Sequence, residues 1–262
     1  MGLLMKFQQL RFANRQGHNL SARLDLPEDG KPHAYAIFAH CFTCTKDLKA
    51  VTHINLSLTR NGIAVLRFDF TGLGHSEGDF AETNFTTNVS DLIDAAQYLS
   101  KHYSPPRLLV GHSLGGAAVL RAAAEIESAT AVAVIGTPSK TDQVLRHLSG
   151  ATKEIEAAGE AEISLAGRPF RIKKQFLDDL KSERMTDSVK SLKRALLVLH
   201  SPADRIVDIG NAMEIFQVAG HPKSFISLDT ADHLLSASAD SRYAGTMIAA
   251  WSGKYIAGFK VE

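Results

Sequence analysis

The sequence predicts an α/β fold: a mostly parallel sheet of eight strands with helices on both faces. Three observations carry this. Short apolar runs alternate with longer stretches of helical period, the pattern of repeated strand–helix–strand units. The first two strand-like segments instead alternate apolar and polar residues, so the sheet begins with an antiparallel pair. Between Pro138 and Lys193 the alternation stops, which marks an insertion rather than another plain connection.

Taken in order, Phe7–Asn14 and Asn19–Leu26 read as the antiparallel pair, turning near Gly17, and Pro27-Glu28-Asp29-Gly30 is a turn. Tyr35–Ala39 is continuously apolar, as a strand buried on both faces must be. A helix over Asp47–Arg60 stops at Asn61-Gly62. Ile63–Phe70 is a buried strand and Thr71–Gly78 a glycine-rich loop. Thr87–Tyr103 repeats at helical spacing through Val89, Leu92, Ile93, Ala96 and Leu99, then closes at Ser104-Pro105-Pro106. Leu108-Leu109-Val110 is a strand running into Gly111-His112-Ser113-Leu114-Gly115, with a small-residue helix over Ala117–Ala124. Thr130–Gly136 and Arg194–His200 are buried strands. A helix over Ile209–Ala219, a strand at Ser224–Leu228 and a helix over Ala239–Ile256 complete the order. Inside the insertion, Gln143–Leu148 and Thr152–Ala158 suit helices. Glu162–Leu165 and Arg168–Ile172 suit short strands around Ala166-Gly167, and Phe176–Leu180 begins another helix. Residues 138–193 are therefore read as a lid, and 1–137 with 194–262 as the core.

The chain has 262 residues, room for one large domain with an insertion. Lys+Arg 29 against Asp+Glu 28 leaves a net charge of +1, so there is no basic footprint for nucleic acid or an anionic membrane. Cys41 and Cys44 do not make a disulfide framework, which favours a reducing compartment. The apolar run in Met1–Lys6 is too short for a signal peptide, and Lys6 stands where a myristoylation motif needs Ser or Thr. No charge-free stretch approaches the ~20 residues of a membrane span. A cytoplasmic protein, compatible with a homo-oligomer, is expected.

Gly111-His112-Ser113-Leu114-Gly115 fits G-x-S-x-G between a strand and a helix, the context in which the serine becomes a nucleophile. The sharp turn strains the backbone and leaves no room for a bulky Cβ two residues either side. The following helix aims its first N–H groups at the Ser113 hydroxyl. A plain glycine-rich turn with a buried serine is the alternative, and the flanking pattern disfavours it.

A serine at its ordinary pKa needs a base, itself oriented by a carboxylate, and on this architecture the order is Ser, acid, His. Four histidines follow Ser113: His147, His200, His221 and His233. His147 lies in the insertion, His200 in or at the tip of a strand, and His221 before a strand at the opposite edge. His233 follows Ser224–Leu228 on the carboxyl-end side, where open α/β sheets place ligands. Among the acids, Asp142, Asp178, Asp179 and Asp187 lie in the insertion, and Asp229 and Asp232 crowd His233. Asp204 is favoured over Asp208, which better suits capping the helix near Ile209. The N–H groups of Leu114 and Phe42 are the candidate oxyanion donors. Cys41, His112, Phe170 and Phe176 are candidate substrate contacts, with packing as the alternative for Cys41 and anchoring of the lid for the two phenylalanines.

Other chemistries fit less well. Gly72-Leu73-Gly74 with Gly78 has the wrong spacing for a dinucleotide fingerprint, and Ala117-Ala118 replaces the Lys-Ser/Thr of a P-loop. Cys41-x-x-Cys44 suits a redox pair or half a zinc site, but no second cysteine pair exists and the motif lies in the loop where the oxyanion donors belong.

Besides the serine motif, His40-Cys41-Phe42, Asp69-Phe70-Thr71-Gly72-Leu73-Gly74-His75-Ser76 and Asp204-Arg205-Ile206-Val207 carry a resemblance. The chain resembles α/β-hydrolases of the serine-esterase, lysophospholipase and S33-peptidase-like group. Ala39–Asp47 and Gly167-Arg168-Pro169-Phe170 are similar to the hydrolase half of bacterial proteins fused to an OsmC-like peroxide-resistance domain. The resemblance runs from Phe7 to Tyr255, and the chain ends at Glu262 without an OsmC half, so a stand-alone hydrolase or a fragment is expected. It implies the α/β-hydrolase fold and hydrolysis of small-molecule carboxylic esters of short to medium acyl chain through an acyl-enzyme. No cofactor and no metal is implied. Thioester or amide hydrolysis by the same residues, or a non-catalytic binding homologue, are the alternatives.

Overall fold

Turn and strand chemistry place the expected elements nearly where the spacing puts them. The computed structural model describes residues 6–256 except 43, 149 and 166. The readings that rest on residues 1–5 and on the chain end at 257–262 lie outside the described residues.

In chain order, Lys6–Ala13 (β1), Asn19–Leu26 (β2) and Ala34–Ala39 (β3) precede the helix Lys49–Arg60 (α1). Ile63–Phe68 (β4), Phe85–His102 (α2), Leu108–His112 (β5), Leu114–Ala122 (α3) and Ala131–Ile135 (β6) follow. The insertion holds a 3-10 helix at Thr141–Leu148, then Thr152–Ala158 (α4), Glu160–Leu165 (β7), Arg168–Lys173 (β8), Lys174–Ser182 (α5) and Met185–Lys190 (α6). Ala195–His200 (β9), Gly210–Val218 (α7), Lys223–Ser227 (β10) and Ser238–Ile256 (α8) close the order.

Eight strands form one sheet in the order β1-β2-β4-β3-β5-β6-β9-β10, antiparallel at β1–β2 and β2–β4 and parallel from β4 onward. The period of two sorts the apolar residues of each strand between two layers. Ala64 and Leu66 of β4 join the layer of α2 and α3, with Leu92, Leu99 and Val119. Ile63 and Val65 join the layer of α1 and α8, with Ile54, Leu58 and Ile248.

Among the helices that start off the positions that spacing suggests, α1 and α2 do so for local reasons. α1 begins at Lys49 rather than Asp47, because the Lys46 ammonium pairs with Asp69 and Asp47 lies 3.6 Å from the Arg67 guanidinium. α2 begins two residues early, where Asn84 and Thr87 form a capping box: Asn84 Oδ1 accepts from Thr87 N–H and Thr87 Oγ1 from Asn84 N–H.

The insertion divides in two. β7 and β8 pair as an antiparallel hairpin, turning at Gly167 with φ +75°. Beyond it, Phe176, Leu177 and Leu180 of α5 and Met185 and Val189 of α6 are buried in the apolar layer that holds α3. β6 and β9 are parallel neighbours, so the chain must cross back along the sheet between them, and α5 and α6 lie on that crossover. Among the described residues no helix is long and apolar enough to cross a membrane.

Candidate active site

β5 delivers Ser113 to the carboxyl end of the sheet, and α3 begins at the next residue. Ser113 has φ +56° and ψ −127°, a conformation an L-residue holds only when its surroundings enforce it. Its N–H donates to the Ile135 carbonyl at 2.8 Å, and its own carbonyl accepts from Gly116 N–H at 2.9 Å. Close backbone packing completes the restraint. A Cβ on Gly111 would fall 2.5 Å from the Gly115 carbonyl oxygen, and one on Gly115 would fall 2.6 Å from that of Ala39.

Ser113, His233 and Asp204 form one hydrogen-bonded row. His233 Nδ1 lies 2.7 Å from Asp204 Oδ2, and His233 Nε2 lies 3.0 Å from Ser113 Oγ. A carboxylate only accepts, so Nδ1 carries the proton and Nε2 is left to accept from the serine hydroxyl. Asp204 Oδ1 accepts from the N–H groups of Ile206 and Val207 at 2.8 and 2.9 Å. Burial pushes the Asp204 carboxyl up, but the hydrogen bonds from His233, Val207 and Ile206 outweigh it and hold it below its ordinary value. Asp208 lies apart, accepting from Gly210 N–H at the start of α7, at 2.7 Å.

Two further histidines, both buried and neutral, brace the row. His112 Nε2–H donates to the His233 carbonyl at 2.7 Å, and burial, then the neighbouring His233, pushes its pKa down to about 3. His200 Nε2–H donates to the Val207 carbonyl at 2.8 Å, and burial lowers its pKa too. His112 therefore holds the backbone of the His233 loop from beneath. It does not line the cavity, which corrects its expected place as a substrate contact. Sequence reasoning set His200 aside, yet it steadies the Asp204 loop; only its spacing of four from Asp204 could have signalled this.

The loop after β3 carries Phe42, and Gly115 packs that loop against the start of α3, where Leu114 lies in the first turn. The first N–H groups of a helix have no partner within it. A buried ion pair clamps the loop from its far side. Asp69 accepts from Lys46 N–H at 2.8 Å, Lys46 Nζ at 2.7 Å and His75 N–H at 3.0 Å. Arg67, also buried, donates to the Lys46 carbonyl and lies 2.9 Å from Asp25. The motif beginning at Asp69 thus serves to hold the neighbouring loop, a role no spacing rule reveals.

Cys41 and Cys44 are joined by a disulfide, which removes the cysteine argument for a reducing compartment. The reason is a turn: Cys44 N–H donates to the Cys41 carbonyl at 3.0 Å and brings the two Cα atoms to 5.3 Å, within bridging range.

A cavity of about 1060 Å³ opens over Ser113 and His233. Its apolar wall includes Phe42, Leu48, Val144, Leu165, Ile206 and Leu234, so the insertion supplies part of it. Cys41 lines it as expected, but as half of a disulfide. Phe170 and Phe176 do not line it, contrary to their expected place as substrate contacts. Both are buried in an aromatic cluster, Phe176 stacked on Phe42 at 5.4 Å and Phe170 edge-on to Phe80 at 5.0 Å, and so anchor the insertion. Among the described residues, no group of three or more His, Cys, Asp or Glu is arranged to hold a metal.

Sheet order, serine turn and carboxyl-end cavity together define an α/β-hydrolase, and residues 36–254 match the model of the alpha/beta hydrolase family, to which the chain belongs. It is similar to the esterase domain of a Rhodothermus marinus protein, 49% identical, with a TM-score of 0.77 over 96% of this chain and 99% of that one. It also resembles Est1E from Butyrivibrio proteoclasticus, solved with ferulic acid, at 19% identity and a TM-score of 0.77, over 94% and 98% of the two chains. The mitochondrial palmitoyl-protein thioesterase ABHD10 of Rattus norvegicus is 27% identical over 187 residues, 68% of this chain. That match spans 62% of the relative's own length.

Proposed function

We propose that the protein is a serine hydrolase that cleaves carboxylic esters through an acyl-enzyme. The observation that carries this is the Asp204–His233–Ser113 row opening into the cavity. Ser113 Oγ attacks the acyl carbon as His233 Nε2 takes its proton. The tetrahedral oxyanion accepts from the N–H groups of Phe42 and Leu114, charge held by fixed dipoles. His233 then passes the proton to the leaving alcohol, and water releases the acyl group by the same route. Asp204 keeps Nδ1 protonated and stabilises the imidazolium that forms.

The 3-10 helix and the β7–β8 hairpin serve as the lid, with α5 and α6 as its base. The apolar wall suits short to medium acyl chains. Thioester hydrolysis by the same residues is the second reading, favoured by the likeness to a palmitoyl-protein thioesterase.

A series of p-nitrophenyl esters of rising chain length, with matching thioesters, tests this. Ser113→Ala, His233→Ala and Asp204→Asn should each lose about 10⁴-fold or more in kcat, with effects far from additive. Wild-type turnover by Ser113→Ala, or no labelling of Ser113 by a fluorophosphonate, would overturn it. A structure with a phosphonate on Ser113 should show its oxygen within reach of both amides.

A further inference from the structure

The cavity above Ser113 is lined by arginines as well as by apolar side chains. Arg146 from the 3-10 helix, Arg168 at the head of β8 and Arg205 beside Asp204 all line it. They come from three separate chain segments, and their formal charge is matched by Asp204, Asp208 and Glu214 on the same lining. Arg146 and Arg205 are exposed, and neither is paired to a carboxylate among the described residues. The Arg168 guanidinium lies over the Phe170 ring, 5.4 Å from its centroid.

The carboxylates lining the same cavity are already engaged. Asp204 is held by His233 and two amides, Asp208 accepts from Gly210 N–H, and Glu214 accepts from Ser139 Oγ at 2.6 Å. Guanidiniums offer planar paired donors that match a carboxylate or phosphate, and a neutral ester gives them nothing to bind. A volume of about 1060 Å³ also exceeds what a short acyl group fills.

We propose that the cavity selects substrates carrying a carboxylate or phosphate away from the scissile bond, with Arg146, Arg168 and Arg205 as its specificity determinants. The proposal rests on the hydrolase reading above. The apolar wall takes the chain between the reacting carbonyl and the anion, and two of the three arginines belong to the insertion, which makes that segment the carrier of selectivity.

Two substrate pairs test it and separate the sources of the anion. Mono-p-nitrophenyl adipate against p-nitrophenyl hexanoate places a carboxylate on the acyl side. Hexanoyl-coenzyme A against the neutral hexanoyl N-acetylcysteamine thioester places phosphates on the leaving group. In at least one pair the anionic member should have a kcat/KM about tenfold higher, through a lower KM, and that advantage should shrink at high salt. Arg146→Gln, Arg168→Gln and Arg205→Gln should each lower the anionic-to-neutral ratio by about fivefold, the size of one exposed charge contact. Ratios near one in both pairs, or ratios unmoved by all three substitutions, would overturn the proposal while Ser113-dependent turnover of the neutral members leaves the hydrolase reading standing. Absence of turnover on all four, with no fluorophosphonate labelling, would overturn the hydrolase reading and the proposal with it.

Discussion

Lys46→Met removes the ammonium from a buried ion pair and leaves the Asp69 carboxylate, 0% exposed, with only the N–H groups of Lys46 and His75. Breaking such a pair from one side costs about 3–5 kcal/mol, because the remaining charge is stranded away from water. That is a large share of a typical total of about 5–15 kcal/mol. Asp69→Asn strands the ammonium instead, with the half-exposed Asp47 3.5 Å away as partial relief. The double variant strands neither charge, so it should cost less than the sum of the two, with a coupling of about 1–3 kcal/mol. Urea unfolding followed by circular dichroism reads this as shifts of midpoint at constant slope. Activity should fall as well, since Lys46 anchors the loop that carries Phe42. The pair also has a pH signature. Burial raises the Asp69 carboxyl, but its hydrogen bonds and the Lys46 charge bring it below the ordinary 3.8. Its stabilisation is therefore complete above pH 3.8 and lost as the pH falls further. A loss under about 1 kcal/mol for Lys46→Met, or strict additivity in the cycle, would refute the clamp.

Phe176→Ala should lower stability by about 3–5 kcal/mol, because it empties the centre of the aromatic cluster. A chain-length profile that shifts while the melting temperature stays put would show instead that Phe176 meets substrate. His112, whose pKa lies at about 3 against an ordinary 6.5, refuses a proton that the unfolded chain accepts. Stability should thus decline as pH falls from 6.5, by about 5 kcal/mol from this group at the acid limit, and His112→Gln should flatten the decline; an unchanged profile would count against it. The Cys41→Ala/Cys44→Ala double variant should lose about 2 kcal/mol of loop-closure stabilisation and its melting temperature should ignore reductants, unlike the wild type's. Alkylation of native, unreduced protein at Cys41 would show that the bridge does not form.

Periodicity carried the sheet and the helices, and chain order with end-of-strand placement brought Ser113, Asp204 and His233 to one row. Such signals are local or topological, and a single chain displays them. The Asn84–Thr87 capping box was also legible, yet apolar spacing alone starts the helix at Thr87. What the sequence hid depends on a neighbour far along the chain. Lys46 and Asp69 stand in two separate motifs of the resemblance, and nothing pairs them until β3 and β4 lie side by side. Phe170, Phe176 and His112 are residues of the right kind near the right place, and only packing says that they face a cluster or a backbone carbonyl rather than the cavity. The apolar spacing of Phe176, Leu177 and Leu180 announces burial without saying against what. The disulfide escaped because a four-residue turn sets its distance, and composition carries no distances.

The close contacts at Gly111 and Gly115 bear on how a map of mutational tolerance for this protein should be read. Both positions would score as intolerant as Ser113 in a selection for turnover, although neither takes part in the reaction. The two causes separate when abundance is scored beside activity. Ser113→Ala should accumulate to wild-type levels and fail only in turnover, whereas a methyl at Gly115 presses on the Ala39 and His40 carbonyls and should deplete the folded protein itself. Residues that scaffold the site would then appear in the first map as well as the second, and residues that work in it only in the second.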